Sequence, residues 1–292
     1  MEAASRVIEK KYWKQLLLLT KPGIIFGNLV TAIGGFFLGC VEFSLINFFS
    51  MLISLSCLIG SACVFNNIID KDLDSKMVRT KKRALPNQEI SLAVAALFGC
   101  SLLVTALIGF YFFSNLITLC SASLGFIFYV YVYSFLKYKT VYGTLIGSIA
   151  GAIPPVAGYT SVTNQLDLGA LFLFLLVALW QMPHFIAIGI YRLSDYKAGQ
   201  IPIVPIIKGI YYAKWEMFFY IFAFMITCYF FTFCGFVSSL FFFVMGGISV
   251  FWIYLSLKGF QEDNTPKWAR KMFIYSLIVV MSLSILIPFT KL

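Results

Sequence analysis

Asn66, Asp70 and Asp74 follow one another at intervals of four in N-N-I-I-D-K-D-L-D (66–74). At helical pitch this spacing sets all three side chains on one face. Two carboxylates and an amide so aligned, with Arg79, Lys81, Lys82 and Arg83 just beyond, are donor types that hold Mg²⁺ together with a phosphate group. Asp72 points about 160–200° away from Asp70 and Asp74 and is the acid expected to be solvated. The preceding apolar stretch, 45–65, is long enough to cross a bilayer, which puts the acids at a membrane's edge. Chemistry on a lipid diphosphate suits that combination. Two plainer readings compete. A calcium loop would need Gly and Glu where Ser75 and Lys81 stand. A solvated helix end would pair its acids with Lys76 and Arg79.

A second polar loop reads Y-R-L-S-D-Y-K-A-G-Q-I-P (191–202). Tyr191 and Asp195 share a helical face by the same spacing. A carboxylate from each loop, bridged by Mg²⁺, makes Asp70, Asp74 and Asp195 the expected metal ligands. Arg79, Lys137 and Arg192 would neutralise charge on a departing diphosphate, although each cation also suits topological duty at a membrane surface. His184, in W-Q-M-P-H (180–184), is the single histidine and lies inside an apolar span. An ionisable group there is a functional candidate, and imidazole is a frequent haem ligand. A structural histidine satisfying carbonyls freed by Pro183 is the level alternative. Trp180, one turn away, would pack against a flat ring or against lipid.

Holding these groups in place falls to membrane helices. The chain is 61% hydrophobic and 12% charged, which excludes a soluble domain. Nine apolar spans are expected, roughly 16–41, 45–67, 91–111, 116–134, 142–160, 169–190, 215–233, 237–257 and 272–290. Period-2 alternation is absent, so the fold class is an all-α polytopic bundle rather than a β-barrel. No soluble domain interrupts residues 1–292, and 66–90 and 191–214 are the longest loops. Every Lys and Arg except Lys291 falls in the N-terminal tail or in alternate loops, which places the tail and both polar loops in the cytoplasm. Topology and anionic headgroups account for the net charge of +10, and no nucleic-acid partner is needed. The basic start, 1–15, is followed by no cleavage-type site, so no removed signal is expected. Seven scattered cysteines read as buried free thiols.

Gly23 and Gly27 recur as Gly143 and Gly147, and Asp74 as Asp195, suggesting two related four-helix halves plus a ninth helix. The glycine stretches 23–27 and 143–151 read as faces for close helix approach. Pro154, Pro155 and Pro183 bend their helices, as simple kinks or to open a cavity. A secondary transporter fits poorly, because every Asp, Glu, Lys and Arg lies at or beyond a helix end. A non-catalytic haem or lipid carrier would not need carboxylates at metal-binding spacing.

The stretch 66–83 resembles the first motif of the UbiA-type intramembrane prenyltransferases and, within them, the haem O synthase branch. T-K-P-G-I-I-F-G-N (20–28), Y-G-T-L-I-G-S (142–148), W-Q-M-P-H (180–184) and D-Y-K-A-G-Q-I-P-I-V-P (195–205) are similar to that branch in the same order. The resemblance implies nine helices around a cavity in the cell inner membrane. It implies Mg²⁺-assisted transfer of farnesyl from farnesyl diphosphate to a vinyl group of haem B, with water completing the addition. Asn66, Asp70, Asp74 and Asp195 would be catalytic, Arg79, Lys137 and Arg192 would meet the diphosphate, and His184, Trp180 and Tyr191 the haem. Membrane lipid and a downstream haem-modifying enzyme are the further partners it brings in. Three positions depart from the wider pattern: Asn67 and Tyr191 stand where many members have Asp, and Ala84 where proline is common. A prenyltransferase acting on a quinone or other aromatic acceptor is the nearest rival.

Overall fold

The computed structural model describes residues 12–78 and 80–292, so most of the basic tail, together with Arg79, lies outside the described residues. Among the described residues nine helices are long and apolar enough to cross a membrane. Spans one to nine are Pro22–Gly39, Leu45–Ile69, Leu92–Phe113, Leu116–Leu136, Gly143–Thr163, Leu168–Tyr191, Ile210–Phe233, Ser239–Lys258 and Thr265–Thr290. Short polar side chains start several of them. Ser44, Ser91, Asn115, Asp167 and Asn264 each accept a first-turn backbone N–H.

Three boundaries differ from the sequence reading. The run 16–41 is two helices, because Lys21 adopts φ 52 and ψ 69 and Pro22 restarts the chain as span one. Leu16 and Leu19 then pack with Val64, Leu85 and Ile90 instead of continuing across the bilayer. Spans seven and nine start earlier, and span seven takes in Lys214, a cation that the protein itself satisfies. Lys214 Nζ donates to the Gly259 carbonyl at 2.6 Å and sits 5.2 Å over the Trp268 ring. At the opposite end the outlying Lys291 donates to the Cys40 carbonyl, tying the ninth span to the end of the first.

Two spans are interrupted. Span four passes through a π-helical turn, Phe128–Tyr133, which turns Tyr129 and Tyr133 to the interior. Span five breaks at Ala152, where Pro154 and Pro155 open its second segment, Ile153–Thr163. Span one packs on spans two, nine and this second segment. Span six packs on five, seven and nine. Spans one, two, four, five, six and nine thereby surround a cavity, while three, seven and eight stand outside it. Spans one and five, and two and six, both border the cavity, and three and seven both stand outside it. Span nine takes the inner position that span eight leaves.

The glycines divide differently from the expectation. Gly23 and Gly27 make no close helix contact: a β-carbon on either would meet nothing within 4 Å, and both border the cavity. The close approach falls at Gly35 and Gly158 of spans one and five. Gly147 and Gly151 pack against Tyr133 and Gln181, as the 143–151 face suggested. The thiols also divide. All seven are free, but Cys100, Cys120 and Cys234 are exposed, because hydrocarbon accepts a thiol as readily as the core does.

Candidate active site at the charged end of the cavity

The cavity encloses about 800 Å³. Asn66 and Asp70 are brought to it by the end of span two. Asp70 caps that helix at φ −84 and ψ −3, so the helical path runs on into the short helix Lys71–Asp74 and Asp74 keeps the same face. Asp70 and Asp74 are only 7% and 2% exposed, whereas Asp72 faces solvent.

Each inward acid carries its own cation. Lys137 Nζ lies 2.6 Å from Asp70 Oδ2, and the Tyr138 hydroxyl donates to Asp70 Oδ1. Arg83 reaches Asp74 Oδ2 at 2.6 Å and Asn67 Oδ1 at 3.3 Å, while Lys81 and Lys82 stay in solvent. Lys21 donates to Asn66 Oδ1 at 2.7 Å, and Asn66 Nδ2 in turn donates to Ser134 Oγ at 3.1 Å. Burial lowers the pKa of Lys137 against the pull of Asp70. Burial, and then Asp70, raises that of the Tyr138 hydroxyl, which stays a donor. Lys21 is pulled down to about 8, chiefly by burial.

Along the wall formed by spans six and nine, Trp180 and His184 lie with ring centres 4.9 Å apart, tilted by 30°. His184 Nδ1 meets the Ser276 hydroxyl at 2.7 Å rather than a carbonyl freed by Pro183. Apolar side chains, among them Leu55, Leu58, Phe126, Val177 and Val280, also line the cavity.

The cavity therefore gathers Asn66, Asp70, Asp74, Lys137, Trp180 and His184. It does not gather Asp195, Tyr191 and Arg192. Arg192, with φ −109 and ψ 29, breaks the helix between Tyr191 and Leu193, so the four-residue spacing does not run along one helix. Tyr196 and not Asp195 borders the cavity from this loop, and Tyr191 lies under the guanidinium groups of Arg192 and Arg270. The two polar loops nonetheless meet, with Gly199 packed on Met77. Lys21 and Tyr138 line the cavity but were not among the sequence candidates, whereas Arg83, one of the four cations read beyond the acids, does reach it. The Lys-Pro step opening span one was the available signal for Lys21.

Among the described residues no group of three or more His, Cys, Asp or Glu is placed to hold a metal. Mg²⁺ rarely uses an all-protein cage; one or two carboxylates with substrate phosphates and water suit it. Asp70 and Asp74 on one cavity face, with three cations beside them, fit an ion that arrives with a diphosphate.

The model of the UbiA prenyltransferase family matches residues 28–278. The protoheme IX farnesyltransferase of Protochlamydia amoebophila is 48% identical over 94% of this chain and 97% of its own. That of Photorhabdus laumondii is 45% identical over 94% of each chain. Among solved structures, a UbiA homologue from Archaeoglobus fulgidus bound to GPP and Mg²⁺ superposes with TM-score 0.70. It is 17% identical, and the match covers 94% of this chain and 99% of that one. A digeranylgeranylglyceryl phosphate synthase superposes with TM-score 0.77 at 19% identity, covering 94% and 98%. By the extent of the family match and the identity to its curated relatives, this chain belongs to the UbiA prenyltransferase family.

Proposed function

We propose that this protein transfers farnesyl from farnesyl diphosphate to a vinyl group of haem B, with addition of water, giving haem O. The observation that carries this reading is the near-full-length identity of 48% to a protoheme IX farnesyltransferase. One cavity joining a cation–carboxylate end to an indole–imidazole wall agrees with it. Lys21, Arg83 and Lys137 bind and neutralise the diphosphate, Arg83 and Lys137 turning to it from Asp74 and Asp70. Asp70 and Asp74 hold Mg²⁺ with Asn66 beside them, and the ion when bound adds Lewis-acid stabilisation of the departing charge. Arg79 and Arg192 are the further cations proposed for the diphosphate and Asp195 the second loop's acid, with Tyr191 packed under Arg192. The C–O bond to diphosphate breaks with its electron pair leaving on oxygen, and the vinyl π electrons form the new bond to the allylic carbon. Water adds to the resulting cation and one proton is released. Apolar walls keep water from the allylic centre until then. The charged end faces the cytoplasm of an inner membrane, a placement supported by the one-sided distribution of Lys and Arg.

Incubating purified protein with haem B, farnesyl diphosphate and Mg²⁺ tests the reaction by mass spectrometry of extracted haem. The expected product gains one farnesyl and one hydroxyl and is lost with EDTA. Unchanged haem, from protein that binds farnesyl diphosphate, rejects haem B as acceptor.

Lys21 adds a pH signature. Its pKa near 8 means the free site keeps this positive charge below that pH and loses it above. Affinity for farnesyl diphosphate is expected to weaken above pH 8, by at most about tenfold per pH unit for one proton. Lys21→Arg, which keeps its charge, should flatten that limb. The stability contribution has the opposite sign. The fold disfavours the protonated amine, so this group's contribution rises between pH about 8 and 10.5. Isothermal titration between pH 7 and 10 checks the binding limb. An unchanged slope in Lys21→Arg would remove Lys21 from the diphosphate site.

A further inference from the structure

His184 is the chain's single histidine, and its ring is held on three sides. Trp180 lies 4.9 Å from it, Phe273 5.0 Å and Phe185 5.5 Å between ring centres. Ser276, fully buried on span nine, joins two of the parts. Its carbonyl accepts the Trp180 indole N–H at 2.6 Å, and its hydroxyl oxygen stands 2.7 Å from His184 Nδ1.

A serine hydroxyl has one proton to give. Here it is donated to the Phe273 carbonyl at 2.6 Å. Toward His184 the oxygen therefore offers only lone pairs, and Nδ1 must carry the hydrogen. A neutral imidazole has one N–H, so Nε2 keeps its lone pair. Among the described residues nothing pairs with Nε2, and the ring borders the cavity.

We propose that Ser276 is a positioning residue: it holds His184 in the Nδ1–H form and so presents the Nε2 lone pair to the cavity as a ligand for the iron of a porphyrin. This rests on the reading of haem B as acceptor. A metal-binding histidine commonly gives its other N–H to an oxygen, which fixes the ring and raises the basicity of the ligating nitrogen. Trp180 and Phe273 prevent the ring from turning, so the hydrogen bond and the packing select the same orientation. With the opposite tautomer an N–H would face the iron and no bond could form.

Because there is one histidine, ¹⁵N-histidine labelling of protein carrying a histidine-free tag, in nanodiscs, reads the tautomer from two resonances. The expected spectrum at neutral pH has Nδ1 protonated and Nε2 bare. Haem B should then give wild type the Soret band of an imidazole-ligated iron, lost in His184→Ala. Ser276→Ala should bind haem B about tenfold more weakly, the lower end of what such partners contribute to metal affinity. Iron-free protoporphyrin IX should bind wild type and Ser276→Ala alike, and retained farnesyl diphosphate affinity would report a folded variant. A protonated Nε2 in wild type, or one haem spectrum shared by wild type, Ser276→Ala and His184→Ala, overturns the proposal. If His184 ligates the iron and no farnesyl is transferred, the enzymatic reading fails and the role of Ser276 stands. If farnesyl is transferred while the haem spectrum owes nothing to His184, the role of Ser276 fails and the enzymatic reading stands.

Discussion

Alanine at Asp70 or at Asp74 is expected to lower haem O formation by about 10³-fold, the order seen when one preorganised electrostatic group is lost, while Asp72→Ala stays near the wild-type rate. The measurement is product formed per unit of protein in matched membranes. The contrast follows from placement. Asp70 and Asp74 are buried against the cavity, and Asp72, on the same short helix, faces solvent. Each inward acid has two duties: it offers oxygens to a metal–diphosphate pair, and it holds a cation ready beside the leaving group. Removing Asp70 strands the Lys137 ammonium and the Tyr138 hydroxyl together. Breaking a buried ion pair from one side costs about 3–5 kcal/mol, so Asp70→Ala is expected to lose stability as well as turnover. Asp70→Asn separates the two effects. The amide keeps its size and can still accept from Lys137, but it has lost the charge that a cation needs. It should lose less stability than Asp70→Ala, because Lys137 keeps an acceptor, and still be nearly inactive. Full activity in Asp70→Asn would make the acid a structural anchor. Equal loss at all three acids would refute the single-face arrangement.

The two polar loops show why a shared helical face could be read from spacing in one and not in the other. From Asn66 to Asp74 the backbone stays close to helical through the cap at Asp70, so counting by fours gives the right face. From Tyr191 to Asp195 the same count fails, because Arg192 leaves the helical region and a new helix starts at Leu193. Nothing in the sequence marks Arg192 as a break, since it is neither glycine nor proline. The double proline at 154–155 did mark the break in span five. The pairings of Lys21, Ser134 and Tyr138 were out of reach for another reason. Their partners Asn66 and Asp70 lie 45 to 68 residues away, and only the packing of spans one, two and four brings them together. The span count follows from hydrocarbon thickness and was legible. Which glycines face another helix depends on rotation about each helix axis, and an all-apolar span hides that rotation.

Span one shows how much depends on that rotation. Gly158→Leu is expected to destabilise the protein by about 3 kcal/mol, the upper part of the range for overpacking a well-packed site, and Gly35→Leu similarly. A β-carbon on Gly158 would lie 2.0 Å from the Ala32 carbonyl oxygen, and one on Gly35 would lie 2.0 Å from the Pro155 carbonyl oxygen. Both obstacles are backbone, which no rotamer change can move, so the helices themselves must part. Small residues are what permit this approach between helices in lipid. Gly247→Leu is the control: its β-carbon would meet nothing within 4 Å, and no loss of stability is expected there. Thermal unfolding in one detergent compares the three. The functional consequence comes from what span one carries at its head. Lys21 is joined to Asn66 across 2.7 Å, and a separation of spans one and five by an ångström or more would take it off the diphosphate site. Gly158→Ala should therefore weaken farnesyl diphosphate binding even where enough folded protein remains to measure it. If Gly158→Leu unfolds with Gly247→Leu and binds normally, the two helices are not held at the distance that their glycines allow.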